Sequence, residues 1–158
     1  MATLSARMAP EITRYFLRRI DVPADAADLL NETLIVAWKK QRTIPADPEG
    51  ERAWLFTVAS NVLLNHRRSS TRRTRLIAAL RAELTVDVAD DRSDVQADVA
   101  AALRELPPTE AEIVRLVHWE GLSQSEAGRV LGIPQSTARA KYATARNSLS
   151  RALRHLGG

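Results

Sequence analysis

The chain has 158 residues, which is enough for one ordinary domain or two small ones. It contains no cysteine, so disulfides and Cys-based zinc sites are excluded, and the composition is compatible with a reducing cytoplasm. No apolar run approaches the roughly 20 residues that a membrane-spanning helix needs, and the N-terminal "MATLSARMAP" lacks the apolar stretch of a signal peptide. Hydrophobic residues make up 45% and aromatics only 4%, which predicts a core of Leu, Val, Ile and Ala in helices.

The net charge of +4 conceals three segments of different sign. Residues 1–82 carry 14 basic and 8 acidic side chains, residues 83–98 carry 1 and 6, and residues 99–158 carry 8 and 5. The two basic segments are suited to binding the phosphate backbone of a nucleic acid, because neutralising the phosphates releases their counterions. An Arg-rich surface that only keeps the protein soluble is an equally good explanation of the charge.

Helical periodicity runs through the N-terminal half, and no segment alternates like a strand. The pattern predicts helices over 11–20, 25–41 and 51–68, separated by a break at Pro23 and a Pro/Gly loop over 43–50. Trp38 falls on the predicted inner stripe of the second helix. The third helix carries a polar face that includes Asn61 and Asn65. Because Asn is a mediocre helix former, two of them on one face call for an explanation. The simplest explanation is a solvated surface.

Two stretches mark the boundary between the halves. "RRSSTRRTR", residues 67–75, holds five arginines and is either a basic arm or a helix end. Residues 84–95 are polar, acidic and without helical periodicity, so we predict a flexible linker there. The predicted fold is therefore all-α, with two small helical domains over 1–83 and 96–158.

The C-terminal half predicts a helix-turn-helix. A helix from Val99 stops at Pro107, a second begins with a predicted Thr109–Glu112 capping box, and Ser123–Glu126 is another capping box. That short helix ends at Gly132, a position that favours the left-handed conformation. The last helix runs over 135–156, with a predicted inner stripe that includes Leu153. In a helix-turn-helix the second helix enters the major groove. The same helical pair also occurs as ordinary packing.

Read together, the two halves resemble a known family. "LRELPPTEAEIVRLVHWEGLSQSEAGRVLGIPQSTARAKYATAR", residues 103–146, resembles region 4 of bacterial extracytoplasmic-function (ECF) sigma factors. "YFLRRIDVPADAADLLNETLIVAWKK", residues 15–40, and "RAWLFTVASNVLLNHRR", residues 52–68, resemble region 2. The resemblance implies a cytoplasmic, non-enzymatic subunit that binds core RNA polymerase and directs promoter recognition, DNA melting and transcription initiation. It implies no cofactor and no metal.

The resemblance also implies where the partners bind. Core polymerase would bind the acidic helix that carries Asp25, Asp28, Leu29, Asn31 and Glu32. The single-stranded minus-ten element would meet Trp54, Thr57, Asn61, Asn65, Arg67 and Arg68, where asparagine amides can bond to the edge of an extruded base. The duplex minus-thirty-five element would meet Gln135, Ser136, Thr137, Arg139, Lys141 and Arg146. An anti-sigma factor would regulate the chain and could hold it at the membrane.

The sequence departs from the family pattern, and other readings stay open. Only nine residues precede Pro10, which predicts a truncated or reshaped first helix. Ser136 and Ala140 replace the usual Gly and Ser of the recognition helix, so we predict either an altered promoter preference or a weaker reliance on the upstream element. The alternatives are a helix-turn-helix regulator that acts without polymerase, and a helical protein that only titrates partners.

Overall fold

A computed structural model of the chain describes residues 1–80 and 94–156, with the side chains of 1–73 and 97–155. The described residues form seven α-helices and one 3₁₀ turn at Gln41–Thr43. The helices are α1 (Ala2–Leu17), α2 (Asp25–Lys39), α3 (Pro48–Leu80), α4 (Asp94–Glu105), α5 (Pro108–His118), α6 (Gln124–Leu131) and α7 (Gln135–Leu156). No strand occurs in these ranges, so the all-α prediction is confirmed for them.

The first helix is longer than predicted. It begins at Ala2 and continues through Pro10, although proline removes one hydrogen bond from a helix interior. The apolar spacing explains this, because Leu4, Met8 and Ile12 lie four residues apart on one face and are all buried. The predicted start at residue 11 was wrong, because Pro10 lies inside the helix and does not mark its beginning. The helix also ends earlier than predicted, at Leu17.

The third helix is also longer than predicted, because it begins at Pro48 inside the predicted loop and continues to Leu80. The basic stretch 67–75 is therefore helical backbone. Most of the predicted linker, residues 84–93, lies outside the described residues, and its last two positions belong to α4.

Two other predictions about the C-terminal half were wrong. The predicted Thr109–Glu112 box does not form, because the N-cap of α5 is Pro107, two residues earlier, and the helix has no side-chain cap. Leu153, placed on the inner stripe of α7, is 39% exposed, whereas Ala138 and Ala145 of that stripe are fully buried. The Ser123–Glu126 capping box and the left-handed Gly132 (φ 67°) are both present, as predicted.

The two halves share one hydrophobic core. Its centre is Tyr15, Phe16 and Phe56, whose rings meet edge to face at 5.4 and 5.5 Å. The C-terminal half contributes Leu116, Leu122, Ala127 and Val130 to the same cluster. A smaller core of Leu103, Val114 and Ala145 joins α4, α5 and α7. Consequently α6 packs on both α3 and α7, and the helix-turn-helix is fixed against the N-terminal half.

Candidate nucleic-acid interface

One face of α2 is exposed along its length. Asp28, Asn31 and Glu32 lie on this face, and Asp25 at the helix start is half-buried. The sequence places these polar side chains outward because Ala26, Thr33 and Ala37 take the inward positions. Acidic groups in the first turn are also favoured by the helix dipole. Leu29 is only 3% exposed, so it supports this face from the core and does not lie on it.

Two large apolar side chains continue the same face. Ile35 is 54% exposed and Trp38 is 62% exposed, so the prediction that Trp38 packs in the core was wrong. Trp38 lies seven residues after Asn31, two turns along the same face, and this spacing could have located it. Exposed apolar groups beside polar ones are typical of a protein-binding surface. We call the exposed residues Asp28, Asn31, Glu32, Ile35 and Trp38 the α2 face.

The polar residues of α3 form a second surface. Asn61 and Asn65 are exposed one turn apart, and Arg68 is exposed on the same side. Trp54 and Thr57 lie on this side too, nearer the helix start, and both are half-buried. Trp54 packs against the core, and the Thr57 hydroxyl donates to the Ala53 carbonyl at 2.8 Å. Asn61, Asn65 and Arg68 therefore make up the accessible part of what we call the α3 face.

Arg67 lies apart from the α3 face. At 100° per residue it points about 120° away from Asn61 around the helix. Its guanidinium donates to the Arg19 carbonyl at 3.2 Å. It also lines a cleft of about 410 Å³ between the two halves, together with Tyr15, Ser60, Leu64, Arg104 and Arg115. The structure thus brings five of the six predicted minus-ten residues to one side of α3 and separates Arg67 from them.

The turn between α6 and α7 allows the two helices to pack closely. Gly132 takes the left-handed conformation that ends α6, and Ser123 caps its start by accepting from the Glu126 N–H at 3.0 Å. A Cβ on Gly128 would lie 3.1 Å from the Ala138 Cβ and 3.3 Å from the Ile133 carbonyl oxygen. Glycine at 128 is therefore what lets α7 approach α6.

The first turns of α7 present the residues predicted for duplex DNA. Gln135, Ser136 and Arg139 are exposed, and Thr137 and Lys141 are half-buried. Arg146 is exposed two turns further along and, with Arg139 and Arg154, lines a shallow groove beside Tyr142. Polar groups at the start of a helix that projects from a turn can read base edges in a major groove. The outward arginines can contact phosphates.

Within the described ranges, no group of three or more His, Cys, Asp or Glu side chains is placed to hold a metal ion. No helix there is both long enough and apolar enough to span a bilayer.

Comparison with known proteins bears on both halves. Residues 4–73 match the family model of Sigma-70 region 2, and residues 102–156 match that of Sigma-70, region 4. The chain is 32% identical over 157 residues to the ECF RNA polymerase sigma factor SigF of Caulobacter vibrioides, covering 97% of this chain and 85% of that relative. The chain belongs to the ECF sigma factor family.

Other relatives and a solved structure agree with this membership. The sigma factor is 29% identical over 160 residues to SigL of Mycobacterium tuberculosis, covering 99% of the chain and 90% of the relative. Its fold is similar to that of the sigma factor RpoE in complex with the anti-sigma factor NepR from Bartonella quintana. The TM-score is 0.65 and the identity 25%, over 94% of this chain and 93% of that one. The region 2 match has no counterpart in a simple helix-turn-helix regulator, so it weighs against that alternative.

Proposed function

We propose that this sigma factor binds core RNA polymerase, carries it to promoters, and opens the DNA through the three surfaces described above. One observation supports this most strongly. Asn61 and Asn65 stand exposed one turn apart on α3, and the same helix packs its buried side chains against α2 and α6. A buried scaffold that presents paired amides outward suits the recognition of unstacked bases.

The α2 face is proposed to dock on polymerase. Asp28 and Glu32 supply charge for orientation and fast association, while Ile35 and Trp38 supply apolar area at the other end of the face. Tryptophan is over-represented among the residues that carry most of an interface's binding energy. Because Trp38 is already 62% exposed, its burial against a partner would add to binding without rearranging the fold.

The α3 face is proposed to hold the single-stranded minus-ten element. An asparagine amide offers one acceptor and two donors, so it can pair with the edge of a base that has been turned out of the duplex. Arg68, one turn beyond Asn65, can neutralise the adjacent phosphate. Arg67 points toward the cleft between the halves in this conformation, and we propose a role in backbone binding for it only once the halves separate.

The start of α7 is proposed to read the duplex minus-thirty-five element. Gln135, Ser136 and Arg139 can reach base edges, while Lys141 and Arg146 carry positive charge toward the backbone. Ser136 and Ala140 offer different contacts from the Gly and Ser that the family pattern has there. We therefore propose a promoter preference that differs from the common family motif.

The regulation and the location of the protein are also part of the proposal. We propose that an anti-sigma factor binds this chain, since the similar structure of RpoE is a complex with one. The cleft between the halves, lined by Tyr15, Leu64 and Arg115, is a suitable place for a partner segment. We further propose that the protein has no catalytic activity of its own, resides in the bacterial cytoplasm, and reaches the membrane only through such a partner.

The test is reconstitution with core RNA polymerase of the same bacterium. Binding is measured first, and then run-off transcription from DNA upstream of the protein's own gene. A discrete start that requires this protein and is lost with Asn61→Ala supports the proposal. Tight polymerase binding without a transcript would support the titrating protein, and duplex binding without polymerase binding would support the regulator.

A further inference from the structure

The cleft between the two halves is large enough to hold a small molecule. Its volume is about 410 Å³, which lies within the range of about 300–1,000 Å³ that is typical of ligand sites. Helices α1, α3, α4 and α5 all contribute side chains to its walls. Both arginines and aliphatic residues line it, and this combination indicates the chemistry of a molecule that would fit.

Three arginines from three different helices line the cleft. They are Arg67 of α3, Arg104 of α4 and Arg115 of α5. Arg67 is held at the cleft because its Nη2 donates to the Arg19 carbonyl at 3.2 Å, which uses only one of the five N–H donors of a guanidinium. Guanidinium groups suit the oxygens of a phosphate or a carboxylate, because the planar group can donate two parallel hydrogen bonds to them.

Acidic side chains do not cancel the charge of these arginines. Among the described residues that line the cleft, Glu112 is the one carboxylate, so three arginines against one glutamate leave an excess of two positive charges. Glu112 is already engaged, since it accepts from Arg19 Nε at 3.1 Å and lies 3.6 Å from the Arg115 guanidinium. The cleft therefore has a positive potential that attracts an anion.

A buried nitrogen of Arg19 lies behind the same wall. The Arg19 side chain is only 3% exposed, and it contacts two residues of the lining, Glu112 and the Tyr15 ring. Its Nη2 lies 3.1 Å from the Glu112 carboxylate, but it makes no hydrogen bond within the described part of the chain. A buried donor without an acceptor is costly, so an anion bound in the cleft would stabilise this side chain.

The other main part of the lining is aliphatic. Leu63, Leu64, Leu103 and Leu106 all line the cleft. Leu64 is 47% exposed and belongs to neither of the two hydrophobic cores. An aliphatic group in the cleft would bury this surface, and each methylene buried in this way contributes about fourfold in affinity.

The lining favours an aliphatic phosphate over a nucleotide or a carboxylate. Tyr15, the one aromatic residue in the described lining, is 1% exposed and has Arg19 over its ring, so it offers no free face on which a nucleobase could stack. A phosphate monoester has three terminal oxygens and a charge of about −2 at neutral pH. It matches three guanidinium groups better than a carboxylate, which has two oxygens and a single charge.

We propose that the cleft is a binding site for a soluble aliphatic phosphate monoester. The phosphate binds Arg67, Arg104 and Arg115, and the aliphatic group packs on Leu64 and Leu106. This site goes beyond the proposed function and does not depend on it. The ester would compete with the partner segment that is proposed above for the same cleft.

Isothermal titration calorimetry of the full-length chain tests the site, with octyl phosphate below the concentration at which it forms micelles. We expect one molecule to bind per chain. Inorganic phosphate lacks the aliphatic group and octyl glucoside lacks the charge, so each should bind at least about tenfold more weakly. Equal affinities for inorganic phosphate and octyl phosphate would show only general anion binding by arginines and would overturn the proposal.

Arg104→Gln tests the cationic part of the site. Arg104 is exposed, so its replacement should not disturb the fold. We expect the Kd for octyl phosphate to rise by about tenfold, because a hydrogen bond to a charged group contributes at least that factor. Arg151→Gln is the matched control, since it removes the same charge from an exposed position on α7 outside the cleft. Equal Kd values for the two variants would place the ligand elsewhere and overturn the proposal.

Leu64→Ser tests the aliphatic part. It should weaken the binding of octyl phosphate and leave the binding of inorganic phosphate unchanged. Leu17→Ser is the control, because Leu17 is 45% exposed and lies outside the cleft. If both variants bound octyl phosphate with the wild-type affinity, the aliphatic group would not lie in the cleft and the proposal would fail.

A phosphate monoester can be soluble or can be a membrane lipid such as phosphatidic acid. Sedimentation with vesicles of phosphatidylcholine and phosphatidic acid distinguishes these two sources. We expect the chain to stay in the supernatant, because a cleft of about 410 Å³ is too small for two long acyl chains. Sedimentation that octyl phosphate reverses would assign the same phosphate chemistry to a lipid and overturn the soluble ester.

Discussion

Glu120 and Arg19 form an ion pair at 2.8 Å in which both side chains are almost wholly buried, although the two residues lie 101 positions apart in the chain. Truncation to Glu120→Ala leaves the Arg19 cation in the interface without its closest partner. Breaking a buried pair in this way costs about 3–5 kcal/mol if the structure cannot relax. Here the halves can separate and rehydrate Arg19, so we expect one cooperative melting transition to become two in differential scanning calorimetry.

The control for that experiment is Glu105→Ala, which removes an exposed glutamate from α4. Surface substitutions of this kind usually change stability by less than about 0.5 kcal/mol. If Glu120→Ala melted in a single transition at the wild-type temperature, the pair would contribute nothing to holding the halves together.

Trp38→Ala tests the α2 face. Because this side chain is mostly exposed, its removal should hardly change the free energy of unfolding. If it is buried against polymerase as an interface hot spot, its loss costs about 2 kcal/mol or more, which is roughly thirtyfold in affinity. Fluorescence anisotropy with core polymerase measures the affinity. Val22→Ala, an exposed apolar change outside the α2 face, should bind normally, and equal binding by both variants would remove Trp38 from the docking surface.

Asn61→Ala tests the α3 face. We expect open-complex formation to fall by about tenfold to a hundredfold, because a base-edge contact of this kind is worth about 1–3 kcal/mol. Permanganate footprinting of unpaired thymines measures the opening, and core-polymerase affinity should not change. Gln41→Ala removes an exposed amide elsewhere and is the matched control. Wild-type opening by Asn61→Ala would exclude this amide from base recognition.

Gly128→Val tests the packing that orients the recognition helix. The new side chain would meet Ala138 and the Ile133 carbonyl at distances that leave no room for it. Overpacking of this kind costs about 1–3 kcal/mol, and the displaced α7 should lose binding to a minus-thirty-five duplex in a gel-shift assay. Ala101→Val, on an exposed part of α4, adds the same β-branched type and should bind DNA normally. Undiminished duplex binding by Gly128→Val would contradict the importance of this close approach.

The buried phenol of Tyr15 should make the stability of the fold depend on pH in the alkaline range. Burial raises its pKa from 10.0 to about 12, and the Arg19 guanidinium opposes part of that rise. The folded state therefore holds the phenol proton more tightly than the unfolded state. This contribution, up to about 3 kcal/mol, is fully present below pH 10 and is lost as the pH rises through about 12. Urea unfolding between pH 9 and 12 should show a steeper loss for the wild type than for Tyr15→Phe; equal slopes would contradict the assignment.

Local signals in the sequence predicted much of this fold, and the failures share a physical cause. The Ser123–Glu126 cap and Gly132 were predictable because their partners lie within a few residues in the chain. Trp38 was assigned to the wrong face because the stripe of α2 is wide, and size alone suggested the core. The Arg19–Glu120 ion pair could not be predicted, since each residue looks like an ordinary solvated charge until two distant segments meet. Glu112 shows the same effect, because it binds Arg19 and does not cap α5.

The most direct test of the central claim is run-off transcription with purified core RNA polymerase and DNA from upstream of the protein's own gene. The account predicts a discrete transcript that appears only when this chain is added, and that is lost with Asn61→Ala while polymerase binding persists. A chain that neither binds core polymerase nor changes its transcripts would contradict the assignment of all three surfaces.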